Sequence, residues 1–476
     1  MASTSATTST GYTGAINVVS IVSSLMAVAS IPLNNLTTQQ NSYQAKISAY
    51  GTMSSQMAAF QTAAAALSNA STSTLGAYKA TSSDTTVFNA TADTTAIAGT
   101  YSLNVTSLAQ SQSLVATGQT STTTAISNGV ATTVSFDLGT ISGGTLTAGK
   151  YTGATFTSAG AGVKSIVIDS TNNTLAGIRD AINAGGLGVT ATIVNDGSAA
   201  PNRLTITSNA TGLSNSIKIT TTGGDGTINA LLANDPAAVQ NMTQTVAAQN
   251  ANFTVNGLAV TSASNNVTTA IQGVSLSLTK TTATPATLTV ARDTTAITTA
   301  MTNFVNAYNT TYSAMQNASA YKSVSPLAGE ATLRDMMNQM RNIAAGAVTG
   351  GTMSSIEQAG ISFNAAGVMQ LDTTKLNTAM TSDFTGFANL FNNSTTGYGT
   401  LFNKMATDAL SPTGTFANRT NSLNQSVKNA SDRIAVMNAQ LARLQTQYTT
   451  QYSSLNVMMA NMSTTSTYLS QQLSKL

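Results

Sequence analysis

Side chains able to do chemistry are scarce in this chain. Its 476 residues include no histidine and no cysteine. The usual general base near neutral pH and the commonest metal ligand are therefore missing. A thiol nucleophile, a thiolate metal site and a disulfide framework are missing too. Ser, Thr and Tyr remain, with 19 Lys and Arg and 16 Asp and Glu. None of them falls into a spacing that carries a mechanism. There is no phosphate-cradling Gly loop ending in Lys-Ser/Thr, no acidic calcium loop and no Gly-x-Ser-x-Gly elbow. An enzyme would have to be built from Ser, Lys and carboxylates alone, and the sequence points away from one. We expect no catalytic residue, no cofactor and no metal.

Only 7% of the residues are charged, against about a quarter in ordinary soluble chains. The net charge of +3 is a small excess of scattered Lys and Arg. No run of them could neutralise a row of phosphates, so no nucleic-acid partner is expected. Two readings of so neutral a chain stand side by side: biased composition, or surfaces that pack against many neighbours, where buried charge is costly. The length suggests about three or four domains, and 42% hydrophobic residues are enough for several cores. Ile16 to Ile31 is mostly apolar, but Asn17, Ser20, Ser23, Ser24 and Ser30 interrupt it. It falls short of the ~20 residues of a membrane span. Residues 1–45 contain no Lys or Arg to begin a cleavable signal peptide. No membrane insertion is expected, and export would leave the N-terminus uncleaved.

The pattern is helical at both ends and β-rich between. Leu36, Tyr43, Tyr50, Met57 and Ala64 recur every seven residues within Leu33 to Leu67, and Pro32 suits the first turn of that helix. At the other end, Val427, Ile434, Leu441, Tyr448, Leu455, Met462, Leu469 and Leu476 form an unbroken seven-residue repeat. A continuous helix of that length spans about 75 Å and needs a partner along its apolar seam. Polar Gln451, Thr465 and Gln472 on the second seam favour a loose bundle over a two-stranded zipper. Short strands such as Tyr101–Val105, Ser165–Ile168, Thr190–Val194, Arg203–Thr207 and Val274–Leu278 fill the middle. Thr174 N-caps one helix among them, and the Gly/Thr-rich stretch 118–160 reads as exposed strand and loop. From Thr294 the helical pattern returns.

Several segments then bear a resemblance. Ser20–Met26 with Ile31-Pro-Leu33 is similar to the opening helix and Pro-Leu step of flagellar hook-associated protein 2, the filament-capping family, and Ala98–Val105 with Leu108-Ala-Gln110 to its first head strand. Phe253-Thr-Val-Asn-Gly257, Ile271–Leu276, Phe304-Val-Asn-Ala-Tyr-Asn309, Gly360–Phe363 and Gly367–Asp372 resemble further motifs of the same family. Thr174–Asn183 with Gly188–Val194 resembles a motif shared with flagellins. At the Pro-Leu step Ala29 and Ser30 stand where that family usually has an acidic residue.

The resemblance implies an α+β multidomain fold: a helical coiled-coil leg made by the N- and C-terminal regions, carrying inserted β-rich head domains. Terminal helical segments would be 1–40 and 433–476, flexible before assembly. The leg would be 41–76 with 293–432, an inner head 77–117 with 245–292, and an outer head 118–244. It also implies secretion through the flagellar channel, a homo-oligomeric ring of five or six copies at the distal filament tip, and flagellin as the partner that folds and inserts beneath it. A cytoplasmic export chaperone would cover the C-terminal helix, and host mucin could meet the head through 118–160. Candidate interface residues are Ile21, Val22, Leu25 and Met26 at the start, and Ile434, Leu441, Tyr448, Leu455, Met462 and Leu469 at the end. Plain coiled-coil core is the competing reading of the same residues. A filament or junction subunit and a surface adhesin are the competing functions.

Overall fold

The computed structural model describes residues 17–68, 74–321 and 324–474. The Ser/Thr-rich start as far as Ile16, and Leu476 at the end of the seven-residue repeat, lie outside the described residues. The fold is α+β, with long helices at the two chain ends and strands between. It divides into two units. One is formed by the described residues up to Leu75 together with those from Thr294 onward, and the other is Gly76–Asp293.

Helices α1 (Val18–Ala29) and α2 (Ile31–Ser68) open the first unit. Asn17 begins α1 by accepting the Ser20 amide at 3.0 Å. The chain bends by 44° between the two helices. Pro32 is the cause, since it has no N–H to bond the Val28 carbonyl one turn back. No single described helix is long and apolar enough to cross a membrane, and α1 with α2 reach that length only as this bent pair.

The second unit begins with β1 (Tyr78–Ser82), β2 (Phe88–Ala92), β3 (Gly99–Ser107) and β4 (Ser113–Val115). A long hairpin, β5 (Thr132–Thr147) and β6 (Lys150–Ser158), leads to β7 (Lys164–Ile168) and helix α3 (Leu175–Ala184). Then come β8 (Val189–Asn195), β9 (Asn202–Ser208), β10 (Ser216–Gly223), the short helix α4 (Thr227–Leu232) and β11 (Thr243–Val246). Strands β12 (Ala251–Val255), β13 (Leu258–Ser262), β14 (Asn266–Ile271), β15 (Val274–Leu278) and β16 (Ala286–Arg292) complete it.

These strands build two separate cores. A five-stranded antiparallel sheet, β1-β16-β3-β12-β13, shares one core with the sheet β14-β15-β2, filled by Phe88, Leu103, Val105, Phe253, Leu276 and Leu288. The other core lies between β10-β5-β6 (with β7 on β5) and β11-β4-β9-β8, where Phe136, Ile178, Ile182, Ile206 and Ile219 are buried. Thr174 caps α3 as the sequence suggests, accepting the Gly177 amide at 3.0 Å. Asn256-Gly257 makes the two-residue turn from β12 to β13, both residues at positive φ, as the right-handed strand twist demands. The ends of this insertion meet, with the Asp293 amide donating to the Ala77 carbonyl at 2.9 Å.

The chain returns to the first unit through α5 (Thr294–Ser319) and α6 (Ala331–Ala345). A small hairpin, β17 (Ile361–Phe363) with β18 (Met369–Leu371), follows, then α7 (Thr373–Ser382), α8 (Phe384–Asn392), α9 (Tyr398–Leu410) and α10 (Thr415–Leu473). The aromatic core of the unit is centred on Phe60, whose ring lies 5.4 Å from Phe402, 5.8 Å from Phe304 and 6.0 Å from Tyr308. Two of the motifs singled out in the sequence meet here. The Asn309 side chain donates to the Met369 carbonyl at 2.8 Å and accepts its amide at 2.7 Å, so α5 grips β18 by its backbone. Gly367 closes the hairpin at φ +80, where a Cβ would stand 2.8 Å from the Tyr312 hydroxyl. Asp372 ends the motif as the N-cap of α7, accepting the Thr374 and Lys375 amides.

Candidate functional site

The terminal helices are held by apolar packing and by one buried acid. Helix α2 runs antiparallel to α10: Lys46 and Arg419 reach the same carboxylate, while Pro32, Leu36 and Tyr43 share a groove with Arg433 and Met437. Helix α1 also packs on α10. The covered face of α10 passes through Phe416, Leu423, Ala430, Ile434, Met437, Leu441, Leu444 and Tyr448, then Tyr452, Asn456 and Met459. From Asn461 to Ser474 every side chain is exposed.

The candidate residues therefore separate into two groups. Val22 is buried at 7% exposure, and Ile21, Leu25 and Met26 are half-buried on α1. Ile434, Leu441 and Tyr448 are half-buried on the face that α10 turns to its neighbours. Leu455, Met462 and Leu469 are not brought together with them; they stand 41%, 66% and 54% exposed. Helical geometry turns Leu455 out, whereas Met462 and Leu469 lie in the stretch from Asn461 onward that no described residue covers. A straight helix turns once in 3.6 residues, so a strict seven-residue line drifts about 20° per heptad away from a fixed neighbour. Past Tyr448 the neighbours cover Tyr452 and Asn456, and the seven-residue line swings out to solvent. Met458 and Leu473 join it as exposed apolar side chains. No charged residue occurs from Leu444 to Ser474.

Glu330 is the functional residue that sequence reading did not find. It sits at the N-terminus of α6, yet its side chain does not cap that helix. It turns instead to accept Lys46 Nζ at 3.0 Å, Tyr50 Oη at 3.1 Å and Arg419 Nη2 at 3.0 Å on both carboxylate oxygens. Its side chain is 8% exposed. Burial pushes the Glu330 carboxyl up, but the Arg419 and Lys46 hydrogen bonds outweigh that and hold it below the usual glutamate range. The same burial raises the Tyr50 hydroxyl. One sequence signal existed: Lys46 is the only charge in the first 75 residues. A lone cation on a helix buried along one face needs a partner. Among the described residues, no group of three or more acidic side chains could hold a metal ion.

Comparison with known proteins defines the class first. Residues 155–210 match the flagellin hook IN motif, 15–112 the N-terminus of flagellar hook-associated protein 2, and 248–464 its C-terminus. This is a flagellar protein of the hook-associated class, a structural class. It is 35% identical to flagellar hook-associated protein 2 of Escherichia coli K12, over 94% of each chain. It is 30% identical to the B-type protein of Pseudomonas aeruginosa PAO1, over 90% of this chain and 89% of that one. The crystal structure of the D1-D2-D3 domains of the Escherichia coli flagellar cap protein covers 79% of this chain and 99% of its own, at 33% identity and a TM-score of 0.68. The chain belongs to the flagellar hook-associated protein 2 family, and with it to the filament-cap proteins of the bacterial flagellum.

Proposed function

We propose that five or six copies of this protein form a ring at the distal tip of the flagellar filament, where they hold exported flagellin while it folds and inserts. The subunits leave the cell through the flagellar channel. Before export, the apolar end of α10 is covered by a cytoplasmic chaperone. The observation that carries this reading is the uncharged run of α10 beyond Ala460, which no described residue of its own unit covers. Met462, Leu469 and Leu473 lie open on it, with Met458 open just before it. Exposed apolar faces of this kind mark association surfaces, and full burial of such a side chain contributes about 1.5–3 kcal/mol. Neutral contacts also suit a cap that must grip and step, because buried ion pairs are costly to break and remake.

Gene deletion tests the reading. Bald cells with unpolymerised flagellin in the medium are the expected phenotype. Complementation with Leu455→Asn plus Leu469→Asn should restore secretion of the protein without restoring filaments. Filaments of normal number and length in the deletion strain would overturn the cap assignment.

A further inference from the structure

The chain contains two Asn-Gly dipeptides, Asn128-Gly129 and Asn256-Gly257. Glycine leaves the following backbone nitrogen unshielded, so this pair is the most prone to attack of that nitrogen on the asparagine side chain. The fold treats the two sites differently. The Asn256 side-chain oxygen accepts the Ser102 amide at 2.8 Å, and the Asn256 amide donates to the Ser102 carbonyl at 2.8 Å. The carboxamide is thereby fixed on a neighbouring strand, β3. Both asparagines are exposed, but the Asn128 side-chain oxygen accepts only the Val130 amide, at 3.0 Å in a local turn. That turn ties the carboxamide only to its own loop. The Gly129 N–H has only a long contact, 3.4 Å, with Ser127 Oγ, which does little to oppose its deprotonation.

We propose that Asn128 is a site of spontaneous deamidation, an age-dependent modification of the folded protein, and that Asn256 is protected. The Gly129 nitrogen, having given its proton to solvent base, bonds to Asn128 Cγ. The bond from Cγ to the amide nitrogen breaks, and that nitrogen leaves as ammonia with a proton taken from water. Water then opens the cyclic imide at either carbonyl, leaving Asp or isoaspartate at 128. Nothing is oxidised or reduced. The product has consequences for the loop between β4 and β5. The Asn128 amide donates to Asp225 Oδ2 at 2.8 Å, so a new carboxylate appears beside an existing one. Isoaspartate also lengthens the backbone next to Ser127, whose carbonyl accepts from buried Asn173 at 2.8 Å. Asp225-Gly226 does not compete: hydrogen bonds from the Thr227 side chain and the Asn128 amide keep Asp225 ionised, at about 2, and an ionised carboxylate resists attack.

The test is to age the full-length protein at mildly alkaline pH and follow both sites by peptide mass spectrometry and isoaspartyl methyltransferase labelling. The peptide containing Asn128 should show the mass gain of an amide-to-acid exchange and become labelled. The Asn256 peptide should react at least about tenfold more slowly, the factor that one well-placed hydrogen bond supplies. In denaturant the two should react alike, and Asn128→Gln should remove the first signal alone. Equal rates in the folded protein, faster reaction at Asn256, or an unlabelled Asn128 would each overturn the proposal.

Discussion

Replacing Glu330 by Gln removes the one charge that ties α2, the start of α6 and α10 to a single point. The variant keeps the size of the side chain and an acceptor for Tyr50, but leaves Lys46 and Arg419 facing a neutral amide. Taking one partner from a fully buried ion pair costs about 3–5 kcal/mol. Here the cation side chains are 26% and 39% exposed, so water recovers part of that. We expect a loss of about 2 kcal/mol for the helical unit, or roughly 4–8 °C in thermal midpoint for a unit of this size. The pH dependence has a definite sign. The folded carboxyl titrates below its ordinary value, so its contribution is complete above the unfolded pKa of about 4.3 and is lost as pH falls through the folded one. Urea titrations followed by helical circular dichroism should show a constant gap between wild type and E330Q from neutral pH to about pH 5, closing below about pH 4. Arg419→Met and the double variant complete the cycle, and their effects should fall well short of additive. A gap absent at neutral pH, or one that widens on acidification, would show that the Glu330 carboxylate does not hold these helices.

Gly367→Ala forces a Cβ into the left-handed region and against Tyr312, and should cost about 2–3 kcal/mol in the same titrations. Phe60→Ala empties the centre of the aromatic core and should cost about 3–5 kcal/mol. Leu469→Asn should leave the unfolding of the isolated protein within about 0.5 kcal/mol of wild type, because the side chain is already in water. Ile434→Ala, on the covered face, should cost about 1–2 kcal/mol, half or less of a full core truncation. If Leu469→Asn proves the costlier of that pair, the far end of α10 is covered in solution and the exposed-seam argument fails.

Periodicity made the long elements readable. The helix expected from Leu33 to Leu67 is α2, and the repeat from Val427 onward lies in α10. Tyr101–Val105, Ser165–Ile168, Thr190–Val194, Arg203–Thr207 and Val274–Leu278 all lie in strands. Those signals are local, and each is set by which side of one element meets a core. What depended on distant partners stayed hidden. Glu330 gives no hint in its own neighbourhood that Lys46, 284 positions away, will meet it. The two-way bond between Asn309 and Met369 joins motifs that could be recognised singly but not paired. The stretch 118–160, read as exposed strand and loop, includes the long strand β5, where Val134 and Phe136 are buried and alternate with Ser135 and Asp137, a local signal confined to its first half. The exposure of Leu455, Met462 and Leu469 was hidden for a different reason. Spacing alone does not say whether a helix will supercoil with its neighbours or run straight past them.

The divergence of those two lines along α10 gives one helix two addresses. By Leu469, three heptads beyond Tyr448, the seven-residue line has turned through about 60° from its azimuth at Tyr448, on a stretch whose side chains are all exposed. A partner can therefore dock on the outer azimuth while α1 keeps its hold on the inner one, and neither contact has to be surrendered for the other to form. Angle frees Leu455 within the stretch that its own unit covers, and from Asn461 onward the whole circumference of the rod is open to a partner.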